Sequence, residues 1–127
     1  MKKVLLILAL LTTTLCEMSA QAEIKFDKTV HDFGTFSESN PVQTCVFTFT
    51  NTGTTPLIIN QAIAACGCTT PSYTKHPVAP GEKGTIKVKY NGRGITLGQF
   101  KKTITIYTNS KTEVVRLYIK GKMEEAK

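Results

Sequence analysis

Alternation of apolar and polar residues is the dominant pattern along this chain from residue 23 onward. A period of two residues is typical of β-strands that bury one face and expose the other. Ile24 and Phe26 begin the pattern, and the segments 30–36 and 57–63 continue it. In four further segments the expected inward residues are Cys45, Phe47 and Phe49; Ile86, Val88 and Tyr90; Phe100, Ile104 and Ile106; and Val115, Leu117 and Ile119.

Turn-forming residues separate these segments. Gly34 predicts a bulge or a crossing between sheets, and the Asn-Thr-Gly-Thr run at 51–54 predicts a tight turn. Three prolines and two glycines make 71–84 a long connection, and three glycines make 91–98 a loop. Since no stretch has helical spacing, about seven short strands predict an all-β, immunoglobulin-like two-sheet sandwich. A small barrel is the alternative.

Residues 1–22 have the features of a cleaved export signal. Two lysines precede an apolar run at 4–11, and the small residues Ala20 and Ala22 form a signal peptidase pattern. The run is too short to span a membrane. We therefore expect the mature chain to begin at Glu23 and to be periplasmic or secreted, with no transmembrane segment.

Cys16 raises the question of a lipid anchor, because bacterial lipoprotein signals end just before an acylated cysteine. That motif needs a small residue before the cysteine, and Leu15 stands there. We expect no lipid anchor at Cys16.

The part after the signal is the size of one domain. Of 127 residues, 127 − 22 = 105 remain at 23–127, enough for a single modest core. The whole chain carries a formal net charge of +7 at pH 7. Its lysines alternate with apolar residues, as at Lys87 and Lys89, which predicts that they lie on the solvent-exposed face of strands. Export also argues against nucleic acid as a partner. We expect the partner to be an envelope protein or a cell-surface component.

No arrangement typical of an enzyme is visible in the sequence. The two histidines, His31 and His76, have no neighbours that mark a general base, and no serine lies in a Gly-x-Ser-x-Gly turn. The carboxylates are scattered without a catalytic pair. We therefore expect a protein that is not an enzyme.

Three cysteines remain after the signal, at Cys45, Cys66 and Cys68. An odd number in an oxidising compartment leaves a free thiol, an intermolecular bond or a three-thiol metal site. One option is a structural staple, in which Cys45 bonds one member of the pair across the core. Another is a copper or zinc site at Cys66 and Cys68, completed by His76, Cys45 or a partner's group.

A third option is a disulfide between Cys66 and Cys68 themselves. Residues two apart have Cα atoms close enough for the bond, although so small a ring is expected to be strained and easily reduced. Gly67 between them is expected to supply the unusual backbone dihedrals that a tight ring or a shared metal needs. Cys45, Cys66 and Cys68 are thus the candidate redox or disulfide residues.

Several motifs together resemble an exported bacterial family, domain of unknown function 1573, over nearly all of 23–127. They are AACGCTTP at 64–71, PVAPGE at 77–82, GTIKV at 84–88, HDFGT at 31–35, FTFTNTG at 47–53, GQF at 98–100 and ITIYTN at 104–109. The resemblance implies an immunoglobulin-like sandwich, akin to domains of major sperm protein and ciliary scaffold proteins, and no established activity. Family members usually carry another residue at Cys45. If the pair works there without a third cysteine, that favours a Cys66–Cys68 partnership.

The leading hypothesis is an exported binding or structural module. The strands supply a rigid frame, and the Cys66 loop, the 71–84 connection and the 91–98 loop are expected to form the contact surface. A contact along an edge strand is a further expectation. The alternative is a periplasmic thiol protein that binds copper or zinc, or exchanges disulfides, through Cys66 and Cys68.

Overall fold

The computed structural model describes residues 20–127. The expected export signal lies mostly outside them, as does Cys16. Among the described residues there is no helix, and so none that could cross a membrane. The eight strands are β1 (Ile24–Phe26), β2 (Val30–Ser37), β3 (Val42–Asn51), β4 (Ile59–Ala64), β5 (Thr69–Tyr73), β6 (Lys83–Asn91), β7 (Gly98–Thr108) and β8 (Val114–Glu124).

The strands form two four-stranded sheets. Sheet 1 has the order β1-β3-β6-β5, and sheet 2 has the order β2-β8-β7-β4. All pairs are antiparallel except β2 with β8. The chain passes from one sheet to the other five times. The crossings β1–β2 and β4–β5 join edge strands, one on each side of the sandwich. The predicted all-β two-sheet sandwich is confirmed.

The core lies between the sheets and is built from the residues that the alternation singled out. Phe47, Ile86, Ile104 and Leu117 are among the side chains with no exposed surface. Each comes from a different strand, and along these strands the buried residues alternate with more exposed ones. Burial of this alternating apolar surface is the main force that holds the sheets face to face.

Two predictions about the connections need correction. The segment 71–84 was expected to be a loop throughout, but its first residues belong to β5, which pairs with β6. Pro71 is tolerated there because β5 is an edge strand. The backbone hydrogen bonds from β5 to β6 come from the even-numbered residues of β5. The nitrogen of Pro71 therefore faces away from β6, where no hydrogen bond is lost. Leu57, expected in a strand, makes only an isolated bridge to Val78.

The bulge predicted at Gly34 is present. The pairing of β2 with β8 shifts register between Asp32 and Thr35. Gly34 has a φ of 70°, a conformation that glycine adopts readily and most residues avoid. A carboxylate oxygen of Asp32 accepts the Gly34 N–H at 2.8 Å and fixes the bulge.

Asn51 is a fully buried polar residue at the end of β3. Its side-chain amide donates to the carbonyls of Thr55 and Val78, at 2.8 and 2.9 Å. Its side-chain oxygen accepts the N–H of Gly53 at 2.9 Å and that of Glu23 at 3.3 Å. The side chain thereby joins a tight turn, the 74–82 connection and the start of β1.

Residues 21 and 22, which the sequence pattern assigns to the signal, pack against the domain. Ala22 is 1% exposed, and its carbonyl accepts the Lys111 N–H at 2.9 Å. The carbonyl of Gln21 accepts the Thr54 N–H at 2.9 Å. Where the mature chain begins stays a prediction.

Candidate functional site

Cys66 and Cys68 lie at the corner where the chain leaves sheet 2 and enters sheet 1. β4 ends at Ala64, the corner occupies 65–68, and β5 begins at Thr69. The two cysteines form a disulfide with each other, with their Cα atoms 5.1 Å apart. The disulfide therefore joins no two strands, and it closes only the corner.

Cys45 is a free thiol, so the core staple expected as one option does not form. In the register of sheet 1, Cys45 lies opposite Val88, and Val88 lies opposite Pro71. Two strand spacings put β3 about 10 Å from β5, which exceeds the roughly 7 Å that a disulfide can bridge between Cα atoms. Burial raises the pKa of the Cys45 thiol to about 11, which makes it an inert core residue.

The two bonded sulfur atoms have different surroundings. The Cys68 N–H donates to the Cys66 Sγ at 3.1 Å. The Cys68 Sγ lies 3.6 Å from the hydroxyl of the buried Thr69, and Cys68 packs against the core. Cys66 is not among the residues that pack there, so it is the outer member of the pair.

Gly67 does not have the special backbone that the sequence analysis expected of it. Its φ is not positive, and a Cβ built on it would meet nothing within 4 Å. The corner therefore does not require glycine at this position.

The structure does not bring His76 to the cysteines. β5 runs away from the corner for five residues, or about 16 Å, before the connection that carries His76 begins. Within residues 20–127 no group of three or more His, Cys, Asp or Glu side chains is placed to hold a metal ion. The expected metal set of Cys66, Cys68 and His76 is therefore not assembled.

His31 lies on β2, away from the corner. The ammonium of Lys28 donates to its Nδ1 at 3.0 Å, and its ring packs edge-on against Phe33. Partial burial and the Lys28 charge lower the pKa of His31. These contacts make it a surface residue of the β1–β2 crossing.

The three loops expected to form one contact surface lie at two ends of the sandwich. The Cys66 corner and the loop at 92–97 share one end, where the Asn91 N–H donates to the Cys68 carbonyl. The 74–82 connection lies at the opposite end, where its Val78 pairs with Leu57. A single surface made of all three loops is therefore wrong.

The four edge strands differ in how well they resist the addition of another strand. β1 has only three residues, and β2 carries the Gly34 bulge and a charged Asp32. β5 carries Pro71. Short length, bulges, charges and proline are the features that protect sheet edges.

β4 lacks most of that protection. Its sequence, INQAIA, contains neither a charge nor a proline. A bulge occurs only near its start, between Ile59 and Gln61, where the Tyr73 hydroxyl donates to the Asn60 carbonyl at 3.4 Å. From Gln61 to Ala64 the outer edge of β4 has no strand partner among the described residues.

The outer face of sheet 2 next to this edge carries exposed apolar side chains, although Ile63 lies beside Thr105 and Arg116 in the register. Ile63 is 43% exposed, and Tyr107 and Val114 are each 38% exposed. Tyr107 lies between Gln61 and Val114 in the register, so the exposed apolar groups are close together. The alternation of residues 57–63 predicts a strand here but does not indicate that the strand lies at an edge.

A protein-family model described as "Protein of unknown function (DUF1573)" matches residues 24–123 of this chain. No curated protein matches the chain.

Solved structures show where the fold occurs elsewhere. A protein of unknown function from Porphyromonas gingivalis W83 has 15% identity and a TM-score of 0.73, over 84% of this chain and 50% of that one. The chain thus spans half the length of that protein. PapD-like domain 7 of human CEP192 has 11% identity and a TM-score of 0.67, over 84% of this chain and 89% of that one. The YadV chaperone has 14% identity and a TM-score of 0.54, over 82% of this chain and 52% of that one. At these identities the likeness shows the fold alone.

Proposed function

Because the family model covers most of the chain, this protein belongs to the DUF1573 family of unknown function, and we propose that it is a binding module, not an enzyme. Its proposed ligand is an extended segment of another envelope protein, which pairs with β4 and adds a strand to sheet 2. The single observation that carries the proposal is the uncharged, proline-free edge of β4 beside the exposed side chains of Ile63, Tyr107 and Val114.

Strand addition suits this edge for two physical reasons. Within Gln61–Ala64, every second residue points its N–H and C=O away from β7, and these groups supply the backbone hydrogen bonds of the new pair. Side chains of the added strand would lie next to Ile63 and near Tyr107, which is on the strand beyond β4. They would cover apolar surface that is exposed to solvent in the unbound protein. The likeness to a chaperone fold supports the proposal only in that the named protein acts on other proteins.

Photo-cross-linking in the producing cell tests the proposal. A photoreactive residue at Gln61, on the open edge, is expected to form an adduct with an extended segment of another protein. The same residue at Thr70, on the edge protected by Pro71, is expected to form none. Mass spectrometry of the joined peptides identifies the segment.

Two lysine variants provide the matched control. Ile63→Lys adds a charge to the edge strand and is expected to abolish the Gln61 adduct. Val46→Lys adds the same charge to an equally exposed site on the inner strand β3 and is expected to leave the adduct unchanged. Equal adducts from both edges, or an adduct only with a second copy of the chain, would contradict the proposal.

A second candidate function is thiol–disulfide exchange, favoured by the isolated disulfide on an outer corner. A thiolate of a protein dithiol would attack the Sγ of Cys66, and Cys68 would leave as a thiolate and take up a proton. The Thr69 hydroxyl is near enough to donate to that leaving sulfur. The second substrate thiol, once deprotonated, would displace Cys66. The substrate would then be released as a disulfide, and Cys66 and Cys68 would remain as thiols.

Variants that replace one cysteine at a time test this candidate. Cys68→Ser is expected to form a mixed disulfide with oxidised glutathione through Cys66 faster than Cys66→Ser does through Cys68, because Cys66 is the outer thiol and accepts an N–H. Cys45→Ala is expected to change neither rate. Equal rates in the two serine variants, or a bond that stays oxidised in every glutathione buffer, would refute exchange and leave the Gln61 cross-link unaffected.

A further inference from the structure

A shallow basic groove lies on the outer face of sheet 2, on the opposite half of that face from the β4 edge. It has a volume of about 570 Å³, which is within the usual range of small-ligand sites. Its lining includes Thr35, Gln99, Phe100, Lys101, Lys120 and Lys122. We propose that this groove binds a sugar that carries a carboxylate or a phosphate group.

Two glycines line the groove. Gly34 lies in the bulge of β2, and Gly121 lies opposite it on β8. A Cβ on Gly121 would lie 3.1 Å from the Gly34 carbonyl oxygen and 3.1 Å from the ring of Phe100. Phe100 has the inward parity of the buried Ile104 and Ile106, so its ring packs beneath Gly121 on the inner face of sheet 2. That ring is held in place by stacking on Tyr90, with the ring centroids 4.2 Å apart.

Lys101 and Lys120 of the groove make no ion pair within residues 20–127, although Asp32 lies opposite Lys120 in the register of β2 with β8. Lys101 and Lys120 are direct cross-strand neighbours on β7 and β8, an arrangement that costs stability because like charges repel. Within residues 20–127 the one ion pair joins Lys122 to Glu124, at 3.9 Å. The Lys101 ammonium lies over the Tyr118 ring, 4.7 Å from its centroid. An anion bound beside Lys101 and Lys120 would offset their repulsion.

The remaining polar groups favour a sugar over a bare anion. Asp32 also lines the groove, and one of its oxygens already accepts the Gly34 N–H. Its carboxylate repels phosphate, whereas it can accept hydrogen bonds from sugar hydroxyls. Gln99 and Thr35 offer further donors and acceptors for sugar hydroxyls.

Titration of the purified chain with a short galacturonic acid oligomer tests the proposal, with binding followed through backbone amide NMR shifts. The neutral galactose oligomer and inorganic phosphate serve as comparison probes, and glucose 6-phosphate tests the phosphate form of the ligand. Shifts at 99–101 and 120–122 are expected with both acidic sugars and absent with the neutral one. Binding should weaken as salt is added.

Two double variants with the same change in charge locate the site. Lys101→Gln with Lys120→Gln is expected to weaken binding of the acidic oligomer by about tenfold or more, since two charge-assisted contacts are lost. Lys87→Gln with Lys89→Gln, on the outer face of sheet 1, is expected to change it by less than about twofold.

Each other outcome would overturn the proposal. Equal weakening by the two double variants would mean unspecific attraction to a basic protein. Inorganic phosphate that binds as tightly as the acidic sugars, with the same shifts, would mean a general anion site. No shift at 99–101 and 120–122 with either acidic sugar would mean that the groove binds neither.

Discussion

Replacement of Asn51 by alanine is predicted to be among the most damaging changes of a polar residue in this domain. Asn51 has no exposed surface, and its side chain makes four hydrogen bonds to backbone groups. Those groups lie in three separate segments: the tight turn after β3, the 74–82 connection and the start of β1. Alanine would leave all four without this partner.

The size of the effect follows from those contacts. A hydrogen bond of this kind contributes about 1 kcal/mol net, and an unsatisfied buried group costs more. The Val78 carbonyl keeps its bond from the Leu57 N–H at 2.8 Å, and the Thr55 carbonyl is near enough to the surface to find water. We therefore expect Asn51→Ala to lower the free energy of unfolding by about 3 kcal/mol, or the Tm by roughly 15 °C.

Thermal and urea unfolding followed by circular dichroism measures this loss. Asn40→Ala is the matched control, because Asn40 is exposed in the turn between β2 and β3, and we expect it to change stability by less than about 0.5 kcal/mol. If Asn51→Ala unfolds within a few degrees of the parent, the side chain does not join the three segments and the reasoning is wrong.

Three further predictions concern stability. Gly84→Ala should cost about 1–3 kcal/mol in urea unfolding, since its new Cβ would press into the buried Phe49 ring across the strand pair. Burial raises the pKa of Cys45 from 9.0 to about 11, so the stability of the parent should fall relative to Cys45→Ala as pH rises between those values. The loss is at most about 1.4 kcal/mol per pH unit, and urea unfolding at neutral and alkaline pH measures it. A chain beginning at Glu23 should be about 2 kcal/mol less stable than one beginning at Gln21, which keeps two more backbone hydrogen bonds.

The fold could be predicted from the sequence because alternation reports burial directly. In β3, Cys45, Phe47 and Phe49 were assigned inward, and all three are buried. The bulge at Gly34 was also predictable, because a glycine inside a strand pattern has few other roles. β5 was missed because Pro71 reads as a loop residue unless the strand is known to be an edge.

Strand order explains why the candidate site could not be predicted. Alternation within β4 says nothing about whether a strand lies on its far side, so the open edge at Gln61–Ala64 was invisible. The same limit applies to Lys101 and Lys120, which are distant in sequence and become neighbours only through the β7–β8 register. The cysteine pairing likewise depended on the position of Cys45 two strands away from the corner.

Backbone amide hydrogen exchange on the complex with the cross-linked partner segment shows whether that segment pairs with β4. We expect the protection gained on binding to be concentrated at Gln61–Ala64 of β4, while the amides of β5 keep their exchange rates. Protection confined to the 92–97 loop or to the Cys66 corner, with β4 unchanged, would mean that the segment does not pair with β4.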